Sequence, residues 1–180
     1  MTSQSRSRST DNRFYGVAEA LITEVRNDGM VKVTYPWFND QMESEWCRVL
    51  QFFAGPDHGA FFIPKIESEV LVAFIHGDMR LPVVLGGLYN GQDQPPGTGS
   101  DLDTHVRHYR IQSPVGQRIS LLDPEEAGAV GAVVVENSNG DSITMSTNGT
   151  MSIKTSGVLQ LEGSTITING RVVAPNMNSI

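Results

Sequence analysis

The chain has 180 residues, of which 39% are hydrophobic, enough for one full core and an accessory element. Its net charge of −7 argues against binding along a nucleic-acid backbone, which requires clustered lysine and arginine. A single cysteine, Cys47, excludes an intramolecular disulfide framework, and no apolar run reaches the ~18 residues of a membrane span.

The first thirteen residues form a serine- and arginine-rich segment, for which we expect a disordered arm. The segment holds Arg6, Arg8 and Arg13 against Asp11, a charge of +2, which leaves −9 for the remainder. It lacks the apolar stretch of a secretory leader, so we predict no signal peptide and expect synthesis in the cytoplasm.

Residues 14–91 have the pattern of a small β-barrel. Asn27-Asp28-Gly29 predicts a hairpin turn, and Val31, Val33 and Tyr35 alternate with polar residues on its second strand. The predicted strands are 17–25, 30–35, 45–53, 69–75 and 82–89. Five strands with glycine-rich corners favour an OB-type barrel, with an SH3-like barrel as the alternative. The proline- and glycine-rich segment that follows, 92–110, is a predicted linker.

Beyond this linker, apolar residues recur at an interval of eight. Residues i and i+2 of a strand share a face, so each octad offers two apolar side chains to one interior and then turns. Asn139-Gly140 and Asn148-Gly149 mark two of the turns, because these residue types accept a positive φ. A loop is expected at 123–131. The predicted core residues of this region are Ile111, Ile119, Leu121, Val135, Ile143, Met145, Met151, Ile153, Leu159, Leu161, Ile166 and Ile168.

The octads are compatible with two architectures. One octad supplies a strand of about five residues and a short turn, which is too little for a complete coil of a single-chain solenoid. The strands could form an antiparallel meander packed on another sheet, or a prism in which several identical chains each contribute one wall. The outward positions are mostly Ser, Thr, Asn and Gln, which is typical of a slender, stiff shaft.

An ordered series of motifs between Phe14 and Pro96 resembles the OB domain of contractile-tail spike proteins. This family comprises the phage baseplate assembly protein V and the matching segment of type VI secretion VgrG proteins. Residues 113–121, Ser-Pro-Val-Gly-Gln-Arg-Ile-Ser-Leu, resemble the strand that enters the family's spike. The motifs of the first region are Trp46-Cys47-Arg48-Val49, Gly59-Ala60-Phe61-Phe62-Ile63-Pro64, Glu69-Val70-Leu71-Val72-Ala73-Phe74, His76-Gly77-Asp78 and Leu88-Tyr89-Asn90-Gly91.

The resemblance implies an all-β homotrimer, with a five-stranded OB barrel followed by an intertwined triple-stranded β-helix. Residues 14–91 would form a collar, 111–173 the shaft of the spike and 174–180 its tip tail. The implied function is the structural central spike of a phage tail baseplate or a related contractile injection particle. Such a spike docks on a trimeric hub and pierces the target cell envelope when the sheath contracts.

Departures from the family pattern lead to two further expectations about partners. VgrG proteins carry a hub-like domain ahead of the OB segment, whereas about thirteen residues precede it here, so we expect the hub to be a separate protein. Some relatives end in a His-x-His iron-binding apex, but no histidine follows His108. The apolar end Val172-Val173-Ala174-Pro175 therefore favours a separate tip protein of the PAAR type.

We predict no catalytic, cofactor or metal site. His105 and His108 lie near Asp101 and Asp103, but the segment has no fixed ligand spacing and could bind metal only around a trimer axis. Carboxylate pairs lie in polar stretches and do not indicate a hydrolase. The alternative function is an OB module that binds nucleic acid or glycan. Its stacking surface would be Phe52, Phe53, Phe61, Phe62 and Trp37, for which core or subunit packing is the preferred interpretation.

Overall fold

The computed structural model describes residues 13–96, 106–124 and 128–173, and within them the chain is built from β-strands without an α-helix. It divides into two compact units, Met1–Pro95 and Pro96–Ile180. The predictions of a disordered arm and a tip tail fall almost entirely on residues outside the described ranges. None of the described segments forms a helix with the length and apolarity needed to cross a membrane.

The N-terminal unit is a closed barrel. Six strands form one sheet in the order β3-β2-β1-β7-β8-β4, in which only the pairing of β4 with β8 is parallel. An antiparallel bridge between Cys47 and Val31 links the segment next to β4 back to β2, which closes the sheet. The strands of this unit are β1 (Val17–Val25), β2 (Val31–Tyr35), β3 (Asn39–Glu43), β4 (Arg48–Val49), β5 (Ala54–Gly55), β6 (His58–Gly59), β7 (Glu69–Phe74) and β8 (Pro82–Gly87).

The barrel core follows from alternation along these strands. Every second residue points inward and is buried along β2, β7 and the part of β1 up to Ile22, as the period of two in a strand requires. Burial raises the pKa of the Cys47 thiol and of the Tyr35 phenol, so both groups stay neutral in the core. The buried apolar residues are Ala18, Ala20, Ile22, Val31, Val33, Tyr35, Cys47, Val70, Val72, Phe74 and Val84.

Two strand predictions in this unit differ from the structure. The predicted strand 45–53 is paired only at Cys47, Arg48 and Val49, and Phe52 and Phe53 lie exposed in the loop that follows. Strand β3 was not predicted, because its sequence Asn-Asp-Gln-Met-Glu lacks apolar alternation. An edge strand that extends β2 does not need that alternation. The first hairpin is confirmed, with Gly29 at φ 83° in its turn.

The C-terminal unit contains an antiparallel meander. Five strands follow one another in the order β13-β12-β11-β10-β9, and a short hairpin lies beyond them. Asn137 accepts hydrogen bonds from the amides of Asn139 and Asp141, and Gly140 and Gly149 both have φ 85°, which confirms the predicted turns. The strands are β9 (Val106–Gln112), β10 (Arg118–Pro124), β11 (Ala132–Glu136), β12 (Ser142–Ser146), β13 (Met151–Lys154), β14 (Thr167–Ile168) and β15 (Arg171–Val172).

The predicted boundaries of the linker and of the loop at 123–131 need correction. Strand β9 begins at Val106, so 106–110 belong to the sheet although the linker was predicted to extend through residue 110. Strand β10 continues through Asp123 and Pro124, which pair with Arg107 and Val106. Backbone hydrogen bonds extend β9 and β10 beyond their regularly spaced apolar residues. The spacing of apolar residues alone cannot predict where such pairing ends.

A paired carboxylate in the first hairpin turn gives a test of this fold. Arg26 donates from Nε to both carboxylate oxygens of Asp28, at 2.9 and 3.0 Å, and the Met30 amide donates at 3.1 Å. Mainly because of Arg26, the pKa of Asp28 is lowered from 3.8 to about 2. Because the pKa of Asp28 is lower in the folded than in the unfolded chain, its ionised carboxylate stabilises the folded state above pH 3.8. This contribution is lost as the pH falls through about 2.

We expect Arg26→Gln to raise the Asp28 pKa toward 3.8, as measured by an NMR titration of the carboxyl carbon. Asp78 is the internal control, because its pKa is lowered to about 2 by Arg80, which the substitution leaves in place. An unchanged Asp28 pKa in the variant would show that the turn does not hold this ion pair in solution.

Candidate subunit interface

The candidate functional site is one face of the C-terminal sheet, which we call the ladder face. The strand register aligns apolar side chains in two rows that each cross all five strands. Directly opposed residues lie on the same side of a sheet, so both rows share one surface. The first row is Ile111, Ile119, Val135, Ile143 and Ile153, and the second is Tyr109, Leu121, Val133, Met145 and Met151.

The ladder face is open to solvent. Nine of its ten side chains are 44–66% exposed, and Val133 is half-buried. Covering the exposed half of such a side chain is worth on the order of 1 kcal/mol, so covering all ten contributes ~10 kcal/mol per chain. A continuous apolar surface of this extent is typical of an interaction site, because isolated monomers rarely leave one exposed.

The opposite face of the same sheet is mostly polar and hydrogen-bonded, with Leu122, Ala132 and Val134 among its apolar residues. Arg118 pairs with Glu136 across β10 and β11, with its Nη2 donating at 2.7 Å and its Nε at 3.1 Å. Arg110 donates from Nε to the buried Ser120 hydroxyl at 3.2 Å. Slipping the register by one residue would move these charges into the apolar rows, so the polar face helps to fix the ladder face.

The ladder face contains a depression of about 500 Å³ near the turns that join its strands. It is lined by the isoleucine and valine row together with polar and charged side chains, namely Ser113, Gln117, Arg118, Glu136, Asn137, Asp141, Ser142, Lys154 and Thr155. Asp141 accepts a hydrogen bond from Asn137 at 2.8 Å, which is the main reason that its pKa is lowered. Because Arg118 pairs with Glu136 and Asn137 with Asp141, and the lining also contains the aliphatic row, the depression suits an apolar side chain better than a polar substrate.

The sequence predicted most of this face. Eight of the twelve predicted core residues lie on it, and their burial in a core stays a prediction. Tyr109 and Val133 were missed, although each lies two positions before a predicted residue and alternation could have found it. The other four predicted residues lie beyond β13. Leu159 and Leu161 are exposed outside any strand, Ile166 is half-buried, and Ile168 belongs to β14.

The two candidate metal-binding histidines are His105 and His108. His105 is outside the described ranges, and His108 is placed only by its backbone, which pairs with Leu122. Among the residues that the structure describes, no three His, Cys, Asp or Glu side chains are grouped as metal ligands would be.

Comparison with known families identifies the first unit. Residues 16–89 match the family described as the type VI secretion system/phage-baseplate injector OB domain. The N-terminal unit is an injector OB domain. The resemblance expected for residues 14–96 is thus confirmed, and the OB-type barrel is preferred over the SH3-like alternative. The match covers the barrel and ends before the ladder face begins.

Individual relatives match over the same injector OB domain. The type VI secretion system spike protein VgrG2a of Pseudomonas aeruginosa is 40% identical over 72 residues, 38% of this chain and 9% of the relative. VgrG3, a spike protein of Vibrio cholerae, is 36% identical over 74 residues, and the actin cross-linking toxin VgrG1 of the same species is 38% identical over 74. Both matches cover 39% of this chain and 7% of the relative.

Gly131 offers a test of how the ladder face is held in place. Its amide donates a hydrogen bond to the Thr147 hydroxyl at 2.9 Å, and a Cβ at this position would lie 2.7 Å from the Leu122 carbonyl oxygen. We expect Gly131→Ala to destabilise the C-terminal unit by ~1–3 kcal/mol, the usual cost of overpacking, in thermal or urea unfolding. Gly157→Ala is the control, because its nearest neighbour would be 3.8 Å away. Equal stability of the two variants would contradict the placement of β11 against β10.

Proposed function

We propose that this protein is the structural central spike of a contractile injection machine, either a phage tail baseplate or a related extracellular injection particle. The observation that carries the proposal is the uncovered ladder face in a chain whose first unit is an injector OB domain. Relatives that share this domain are named as spike proteins, which supports the same role here.

The proposed assembly is a homotrimer. Three sheets arranged around a threefold axis, each with its ladder face inward, would bury the two apolar rows that a single chain leaves exposed. The outer surface of such a prism would consist of the polar face with Arg118 and Glu136. In this arrangement the C-terminal units form the intertwined triple-stranded β-helix expected from the resemblance, with 111–173 as the shaft.

The proposed mechanism is mechanical and uses no enzymatic chemistry. Continuous backbone hydrogen bonding through β9 to β13 and a dry apolar core would resist unfolding under axial load when the spike pierces the target envelope. The injector OB domain would dock on a separate trimeric hub. A separate PAAR-type tip protein would cover the C-terminal end, where Val172 and Val173 are exposed.

A second candidate function, binding of nucleic acid or glycan by the OB barrel, is favoured by the exposed phenylalanines Phe52, Phe53, Phe61 and Phe62. The acidic chain disfavours the nucleic-acid version, because a phosphate backbone would be repelled. This candidate predicts ligand binding by the protein as a monomer, so the state of association separates the two functions.

Charged substitutions on the ladder face test the spike assembly. We expect the unchanged chain to be a trimer at micromolar concentration, and Met151→Asp or Ile153→Asp to abolish it. An uncompensated buried charge costs ~3–5 kcal/mol, and each trimer would bury three. Sedimentation equilibrium or native mass spectrometry measures the change.

The matched control is Ser152→Asp. This residue lies between the two others on β13 but on the opposite, polar face, so its variant should remain a trimer. A monomeric unchanged chain at micromolar concentration would overturn the proposed function. Trimers of normal thermal stability in both ladder-face variants would show that this face does not form the interface.

A further inference from the structure

The chain that follows β13 leaves the C-terminal sheet without a partner. Residues 156–165 are exposed and belong to no strand, and none of the backbone hydrogen bonds among the described residues involves 158–165. We call residues 158–165 the unpaired segment. Leu159 and Leu161 alternate in it with Gln160 and Glu162, whose side chains are hydrogen-bonded to each other. The segment therefore has the pattern of a strand whose neighbour is missing.

The unpaired segment does not fold back onto β13. The four turns of the meander each contain a glycine with φ between 85° and 93°, which allows the chain to reverse. These glycines are Gly116, Gly128, Gly140 and Gly149. Gly157 follows β13 at the corresponding place, but its φ is not positive. Strand β13 consequently stays at the edge of the described sheet, with one side open to a further strand.

The side chain of Asp141 holds the chain where it leaves the sheet. Its carboxylate accepts a hydrogen bond from the Ser156 amide at 3.1 Å and others from the hydroxyls of Thr155 and Ser156. The side-chain amide of Asn137 donates to the same carboxylate at 2.8 Å and keeps it in place. The Ser156 amide is therefore not available to continue the backbone pairing of β13 with β12.

The charges of β13 and of the unpaired segment select the direction of the missing neighbour. Lys154 is the charged residue of β13 and Glu162 that of the unpaired segment, and no ion pair among the described residues involves either. A parallel pairing offset by eight residues sets Lys154 opposite Glu162 and aligns Leu159 and Leu161 with the apolar residues of β13. An antiparallel hairpin with the same apolar alignment would set Glu162 opposite Thr150. Only the parallel pairing therefore also brings the two opposite charges together.

Lys154 also ends a row of charges on the polar face of the sheet. Arg118, Glu136, Ser142 and Lys154 are directly opposed on the successive strands β10 to β13. The sign of the charge alternates from Arg118 to Glu136 and, beyond the neutral serine, to Lys154. An acidic residue on the next strand continues this alternation, and Glu162 in the parallel pairing is that residue.

A parallel neighbour with this register cannot come from the same chain. Parallel strands need a connection of about a dozen residues or more, whereas only residues 155–157 separate β13 from the unpaired segment. We infer that the unpaired segment of one copy pairs in parallel with β13 of the adjacent copy. Three such contacts close a ring, because each copy gives its segment to one neighbour and receives that of the other. This inference rests on the proposed trimer and adds the point, after Lys154, at which its chains begin to interlock.

Paired cysteines in the full chain test this exchange. Lys154→Cys and Glu162→Cys are introduced together, and the assembled protein is oxidised and run on a denaturing gel without reductant. We expect a covalent trimer, because each of the three contacts between copies would then contain a disulfide. Cys47 is buried in the barrel and does not take part.

The same two positions are not brought together within one chain. In the hairpin they would be offset by four residues along neighbouring strands, which is about 13 Å. A disulfide requires Cα atoms within about 7 Å of each other. A covalent trimer therefore reports pairing between copies.

The matched control combines Lys154→Cys with Val158→Cys, at two positions that are opposite each other only in the hairpin. We expect this variant to run as a single chain, with both added thiols free when they are alkylated and counted by mass spectrometry. A disulfide within one chain of the control overturns the exchange. So does a trimer of the first variant whose chains separate on the gel, and both results leave the proposed spike intact. A chain that does not form a trimer before oxidation overturns both proposals.

Discussion

The strand register of the C-terminal meander is the constraint on which the rest of this protein depends. Antiparallel pairing from β9 to β13 sets ten apolar side chains on one side of the sheet and the Arg118–Glu136 pair on the other. Because the side-chain period of a strand is two, no small adjustment can mix the two faces. The chain therefore presents a fixed apolar surface whose side chains are about half exposed.

Side chains alternate between the two sides of each strand in both units, but the apolar side is buried in the barrel and exposed in the C-terminal sheet. In the barrel the inward positions of β1, β2 and β7 are almost completely buried, because the bridge between Val31 and Cys47 closes the sheet around them. The C-terminal sheet has no comparable closure among its described strands, so equivalent side chains remain exposed. Closure within one chain buries the apolar positions of the barrel, and the lack of closure among the described strands of the C-terminal sheet leaves its apolar positions exposed.

The comparisons and the geometry support the proposed function from different parts of the chain. Family and relatives match the barrel, which by itself does not define a task, because one fold supports many functions. The ladder face supplies the argument for assembly but lies outside the matched residues. Their combination favours a spike, since an injector OB domain is joined to a sheet that is incomplete alone.

The sequence by itself determined the all-β class, the first hairpin, the turns at Gly140 and Gly149, and eight of the ten residues on the ladder face. These features depend on the alternation of apolar and polar residues and on residues that accept a positive φ. Both can be recognised within a few consecutive residues. Only the tertiary structure decided that β9 starts at Val106, that β3 extends β2, and that Leu159 and Leu161 lie outside the sheet. Those features depend on which distant backbone is available for pairing, and periodicity along the chain carries no information about that partner.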